Sequence, residues 1–307
     1  MRVKGVRIEM QEHSFTQPVT VFNLCEVATF TKKFDIVLVL MKAYDTRWAC
    51  HLIEPHLASD AIVVGVQNGM TADIIADVVG ADRTLGCVIE ISSTMFEPGV
   101  VQRDSGPDRS WFAVGALSPA GVSREPQIAA LLGESGTVET SADIRAMKWM
   151  KLVSNCTTLV TTAIVGLSML DAEKLPGMRE FMLRSGQEAL DVGAALGHPV
   201  LPIFGLKPDD LNDATTVVDT LLRKLLGGFV RSSTKTTVLQ DWMKGRHSEV
   251  DDLNGTVVAE GTRLGIPTPV NAAVVDLAHR IERGDLKPGP ENLALLLDLT
   301  TLKENAS

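Results

Sequence analysis

Asp35-Ile36-Val37-Leu38-Val39-Leu40-Met41 is a near-continuous apolar run, the signature of a strand covered on both faces of a parallel sheet. Working outward, a helical segment spans about Thr46 to Leu57. Ala61-Ile62-Val63-Val64-Gly65-Val66 then reads as a second buried strand, ending at Gln67-Asn68-Gly69. Thr71 to Val79 forms a short helix, and Thr84 to Ile91 a third strand. Beyond Pro98-Gly99 the strands become shorter and more polar, at Val100 to Arg103 and Trp111 to Gly115. Strands alternating with helices predict a Rossmann-like, doubly wound α/β domain over residues 1–140.

From about Asp143 the pattern changes to helix after helix. Met147 to Ile164 stops at Gly166, and Met178 to Leu196 stops at Gly197 with Pro199 beyond. Ser248 with Asp251 three residues later reads as a capping box, opening a helix that runs to Leu264 before Gly265 and Pro267. Helices near Val270 to Arg283 and Pro290 to Leu302 complete an all-α C-terminal domain over residues 141–307.

Composition agrees with two domains. The 307 residues are 45% hydrophobic and 22% charged, a folded globular mixture. The formal net charge of −9 argues against a nucleic-acid surface, yet a locally positive cleft could still take a small anion. No run approaches the roughly 18 apolar residues of a membrane span. Met1 to Gly5 carries charge with no apolar stretch behind it, unlike a signal peptide. Cys25, Cys50, Cys87 and Cys156 form no C-x-x-C pair, and neither they nor the six histidines show ligand spacing. A cytoplasmic protein with reduced thiols and no bound metal is expected.

A βαβ nucleotide domain normally opens with a strand, a G-x-G-x-x-G turn and a helix. No such motif occurs here. The opening reads instead as two short polar-alternating strands, Val6 to Glu9 and Pro18 to Val21. Relative to the common layout, roughly 25–30 residues are missing, which would leave residues 35–41 at an open sheet edge. The alternative is a shorter domain whose edge is covered by its own N-terminal strands or by another subunit.

Lys151 and Asn155 lie four residues apart, so a helix places them on one face. An ammonium and an amide there, with a carboxylate such as Glu249 to orient them, can receive and protonate a small oxyanion. Lys151 also reads as an ordinary solvated helical lysine. Glu249 reads as an acid favouring the first turn of its helix. Asn68 follows a buried strand at the carboxyl end, where open sheets place ligands, but Asn-Gly is also a common turn. Lys42, ending the preceding strand, could meet a cofactor phosphate or simply face solvent.

Taken together, these residues resemble the ketopantoate reductase family over nearly the whole chain. Lys42-Ala43 is similar to the family's V-K-A strand end, Gln67 to Met70 to its N-G segment, and Trp149 to Asn155 to its W-x-K-L-x-x-N helix. Thr236 to Asp241, Gly245 to Asp251 and Leu253-Asn254-Gly255 resemble S-S-M-x-Q-D…G-R-x-T-E-I-D-x-I-N-G. Gly265 to Asn271 resembles G-I-x-x-P-x-N. The resemblance implies NADPH-dependent reduction of 2-dehydropantoate (ketopantoate) to pantoate, a step of pantothenate biosynthesis. Lys151 would be the general acid, and Glu249 would bond the reacting oxygen or the lysine. Asn155 and Thr237 would bind substrate, Asn68 would position substrate and nicotinamide, and Lys42 would meet NADP. The helical domain would bind substrate and serve a homodimer.

Asp45 stands where the family often has glutamine, and Leu159 where a second substrate-contacting asparagine is expected. The latter widens the expected substrates to other 2-oxo acids. Two other readings stay open. One is a non-catalytic family member that binds a small acid or serves as an assembly partner. The other is a more distant dehydrogenase with a helical second domain, such as an opine-forming or hydroxy-acid enzyme.

Overall fold

A computed structural model describes residues 1–213, 215–231 and 234–304, with only the backbone of 302–304. By its contacts the chain divides into two compact units, Met1–Arg145 and Ala146–Ser307.

The first unit runs β1 (Val6–Glu9), β2 (Ser14–Gln17), α1 (Leu24–Val27), β3 (Phe34–Val39), α2 (Thr46–Ile53), β4 (Leu57–Gly65), α3 (Thr71–Val79), β5 (Thr84–Glu90), β6 (Ser93–Glu97), β7 (Val100–Arg103), β8 (Trp111–Ala116), α4 (Glu125–Gly133) and β9 (Thr137–Thr140). Five strands form a mixed sheet in the order β3-β4-β5-β8-β9. The first three are mutually parallel, β8 runs antiparallel to β5, and β9 is parallel to β8.

Strand β4 shows why the domain is wound on both faces. Its side chains alternate, so Ala61 and Val63 join Val39, Cys50 of α2 and Ile75 of α3 in one core. Ile62 and Val64 join Leu85, Phe112, Val114 and Ile128 of α4 in the other. A period of two thus feeds two cores. β3 contributes to both in the same way, Val37 and Val39 on one side, Ile36 and Leu38 on the other.

The N-terminal strands depart from expectation. β2 occupies Ser14–Gln17, not Pro18 to Val21, because Phe15 and Thr16 pair opposite Ile8 and Arg7 of β1. β1 in turn runs parallel to β7, giving a second sheet in the order β2-β1-β7-β6. These strands therefore do not cover β3, which stands at the edge of the five-stranded sheet with Leu40 beyond it exposed.

The second unit contains, among the described residues, helices and turns only. It includes most of α5 (Ile144–Ile164), then α6 (Met169–Ala172), α7 (Met178–Ala195), α8 (Val217–Gly228), α9 (Thr237–Met243), α10 (Asn254–Leu264), α11 (Pro269–Glu282) and α12 (Asn292–Glu304). The division falls inside α5, a few residues beyond the sequence boundary at 140. α5 is buried at every position from Ala146 to Ile164. Its threonines stay satisfied by bonding backward: the hydroxyls of Thr157, Thr158, Thr161 and Thr162 donate to the carbonyls of Val153, Ser154, Thr157 and Thr158. The carbonyl of Ile164, at the helix end, accepts from the Gly289 N–H and the Asn292 amide.

The helix expected from Ser248 starts later. Residues 249–253 bend and turn, and α10 begins at Asn254. Ser248 instead caps a turn: its hydroxyl oxygen accepts the Val250 N–H at 3.4 Å, while its hydroxyl and N–H donate to Glu282 Oε1 at 2.6 and 2.9 Å. Glu249 accordingly lies before α10 rather than in its first turn.

Candidate functional site

In the second unit the polar residues singled out in the sequence lie on α5, on α9 and in the turns before α10. Lys151 is 8% exposed and Asn155 1% exposed, so Lys151 is no solvated surface lysine. A buried ammonium needs specific partners. One is aromatic: Nζ lies 4.9 Å from the ring centroid of Phe204. Phe204 is itself buried, tilts against Phe229 at 5.5 Å, and has φ +63°. It is the only non-glycine residue at positive φ among the described residues, a conformation that costs a bulky side chain about 1–2 kcal/mol. Nothing in the sequence marked Phe204, since local rules place glycine or asparagine at such a backbone.

The rotation of α5 is set by Trp149. Its indole N–H donates to the Ala189 carbonyl of α7 at 2.9 Å, and its ring stacks on His198 at 5.2 Å. α7 approaches closely because Gly186 and Gly193 lack a Cβ. One there would overlap Thr157 and the Trp149 indole, respectively.

Glu249 is 4% exposed, in the turn pinned by Glu282. Burial alone would raise Glu282, but bonds from the Ser248 hydroxyl and N–H, the Trp242 indole and His247 hold it below the usual carboxylate range. Beside this turn Asp252 is pushed up to about 6, by burial first and then by the negative charges of Glu249 and Asp251. Thr237 opens α9, and its buried hydroxyl oxygen has no hydrogen-bond partner among the described residues. Such an atom is an unfilled site for a hydrogen bond. Because the oxygen is covered, a ligand would reach it by a χ1 rotation, and threonine in a helix has two χ1 wells available.

Two asparagines of the C-terminal motif have a structural part. Asn271 Nδ2 donates to the Ser185 carbonyl at 2.9 Å and to Glu188 Oε2 at 2.7 Å, while its Oδ1 accepts from Asn254 Nδ2 at 2.8 Å. Glu188 also accepts the backbone N–H groups of Val270 and Asn271 in the first turn of α11. This network ties α7, α10 and α11 together.

In the first unit Lys42 and Asn68, both half-buried, follow β3 and β4 at their carboxyl ends. Gln67 joins the two loops, donating from Nε2 to the Met41 carbonyl at 2.6 Å and to the Thr46 hydroxyl at 3.0 Å. Gly69 turns the chain at φ +71°, and α3 begins at Thr71, whose buried hydroxyl oxygen has no partner among the described residues. Asn68 thus belongs to a true turn that also presents it at the ligand end of the sheet. An amide, a lysine and a hydroxyl at these strand ends are polar groups of the kind that a dinucleotide would need. The glycine-rich turn that would cradle its pyrophosphate is not in the sequence. Asp45, the departure near this loop, accepts from the Trp48 indole at 2.6 Å, and Leu159 is buried on α5.

Two family models match the chain: ketopantoate reductase PanE/ApbA over residues 1–116, and its C-terminal counterpart over residues 143–282. The chain belongs to the ketopantoate reductase family. It is a 2-dehydropantoate 2-reductase-like oxidoreductase with that family's fold, a Rossmann-like α/β domain followed by a helical one. A relative from Halobacterium salinarum named 2-dehydropantoate 2-reductase is 25% identical over 253 residues, covering 81% of this chain and 76% of its own. The solved PanE/ApbA family ketopantoate reductase of Ralstonia eutropha is 26% identical, with a TM-score of 0.74 over 92% of this chain and 86% of its own. A D-mandelate dehydrogenase bound to NADH and anilino(oxo)acetate shares the fold at a TM-score of 0.80 and 18% identity, over 92% of this chain and 86% of its own. No helix among the described residues is long and apolar enough to cross a membrane.

Proposed function

We propose that this chain reduces a small 2-oxo acid, 2-dehydropantoate foremost, to the 2-hydroxy acid with NADPH. The observation that carries this reading is the buried Lys151 ammonium on α5, with Asn155 one turn along the same helix. When bound, the nicotinamide supplies the hydride. As negative charge grows on the carbonyl oxygen, Lys151 stabilises it and donates the proton. Glu249 bonds the reacting oxygen or the lysine and holds it in place. Asn155 positions the substrate, and the Thr237 hydroxyl takes its carboxylate. Asn68 orients substrate and nicotinamide, and Lys42 meets a cofactor phosphate, with Thr71 beside them. Leu159, an apolar side chain where the family pattern has an amide, supports a 2-oxo acid with a more apolar tail as a second substrate. The helical unit is the part through which a homodimer would form.

A second reading is a family member that binds a small acid without catalysis. Fluorescence titration with NADPH and steady-state assay of 2-dehydropantoate reduction separate the two. The enzyme reading expects saturable NADPH binding, and turnover that falls by at least about 100-fold in Lys151→Ala. Absence of NADPH binding, or turnover unchanged in Lys151→Ala, would overturn it.

A further inference from the structure

Phe204 plays no part in the functional reading so far, yet its ring lies against the Lys151 ammonium. Three features coincide at this residue. The face of its ring lies 4.9 Å from the Lys151 ammonium. The ring is 1% exposed, so the attraction between cation and ring quadrupole acts with little water to screen it. The backbone beneath it holds φ +63°, followed by Gly205 at φ +70°. A bulky aromatic persists at such a backbone only when its surroundings over-determine it. Phe229, just past α8, packs against the ring at 5.5 Å and 46° and supports it.

We infer that Phe204 is a positioning residue for Lys151: its clamped ring face fixes where the ammonium sits. This rests on Lys151 being the proton donor of the proposed reaction. A lysine carries its charge on a flexible four-carbon stem, and placement of a proton donor matters to within fractions of an ångström. The strained turn supplies that placement by holding a rigid platform in contact with the ammonium. Leucine at 204 would preserve much of the packing and lose the platform.

Two measurements test this. The first reads the contact without activity. In the folded protein the Lys151 ε-methylene protons, assigned by comparison with Lys151→Arg, are expected upfield of free lysine through the ring current. That displacement should vanish in Phe204→Leu and persist in Phe204→Tyr. An ε-methylene at the free-lysine position in the unsubstituted protein would overturn the inference. The second replaces Phe204 by phenylalanines carrying one, two and three ring fluorines, which nearly preserve shape while draining the quadrupole. Turnover should fall stepwise, to roughly a tenth in Phe204→Leu, with KM for NADPH unchanged and activity recovered in Phe204→Tyr. Flat turnover across the fluorine series, with only the melting temperature changed in Phe204→Leu, would make Phe204 ordinary core and defeat the inference. Lys151→Ala assayed alongside keeps the two proposals apart: full turnover there sinks the proposed function instead. If the unsubstituted chain shows no turnover, the proposed function fails, and the ring-current measurement still decides whether Phe204 holds Lys151.

Discussion

The indole N–H of Trp149 donates to the carbonyl of Ala189 at 2.9 Å, which fixes how α5 is turned about its own axis against α7. Two residues further along α5 comes Lys151, so this bond also sets the side of the helix from which the lysine stem leaves. The contact needs Gly193, where any Cβ would overlap the indole. Gly193→Ala should lose about 1–3 kcal/mol through overpacking. It should also lower turnover, because α5 must shift. Thermal melting and steady-state kinetics measured together check this, and an unchanged melting temperature would refute the close approach.

Thr237→Val removes a buried hydroxyl oxygen that has no hydrogen-bond partner among the described residues. Stability should therefore hold or rise slightly, while KM for the 2-oxo acid rises roughly tenfold, the scale of one lost hydrogen bond to a charged group. A clear fall in melting temperature would show that the hydroxyl has a structural partner after all.

Asn271→Ala should behave in the opposite way. It strips partners from Asn254 and Glu188, whose carboxyl burial already pushes up despite bonds from Asn271 and Val270. The expected loss is about 2–3 kcal/mol, with kcat of the folded fraction little changed. A variant that melts normally but turns over slowly would move Asn271 into the reactive site.

Asp252 makes stability depend on pH. Its folded value near 6 lies above the usual 3.8, so between those pH values the folded chain holds a proton that the unfolded chain has lost. Stability contributed by this site therefore falls as pH rises from about 4 to about 6, and is level above. Asp252→Asn should melt higher at pH 7–8, by about 1 kcal/mol once screening at this half-buried site is allowed for. The two proteins should converge below about pH 4. A gap that widens toward acid would reverse the sign and reject the argument.

Much of the architecture was legible. Apolar runs at 36–39 and 61–65 gave the parallel strands, and Gly166, Gly197 and Gly265 gave the helix stops, because these signals are local. What was not legible depends on distant partners. Ser248 looks like the start of a helix, but the chain there is tied to Glu282, 34 residues on, and turns before α10 begins. Lys151 could be read as solvated because α5, buried on all sides, has no polar face to contrast with an apolar one. The start of β2 is set by pairing with β1, which no local pattern announces. Phe204 left no trace, since its backbone contradicts the preference of its own residue type. Of the motif residues, sequence order alone could not separate Asn254 and Asn271, which tie helices together, from Asn68 and Asn155, which are proposed to meet substrate.

The four thiols are graded by access. Cys25 is exposed, whereas Cys50, Cys87 and Cys156 are buried, and burial raises the thiols of Cys50 and Cys156 above the ordinary range. An alkylating reagent at neutral pH should therefore mark Cys25 within its ordinary reaction time and reach the others only as the fold opens. Cys50 and Cys87 lie in the first unit and Cys156 in the second. Mass spectrometry of timed labelling would thus clock the opening of each unit separately, without a probe being introduced.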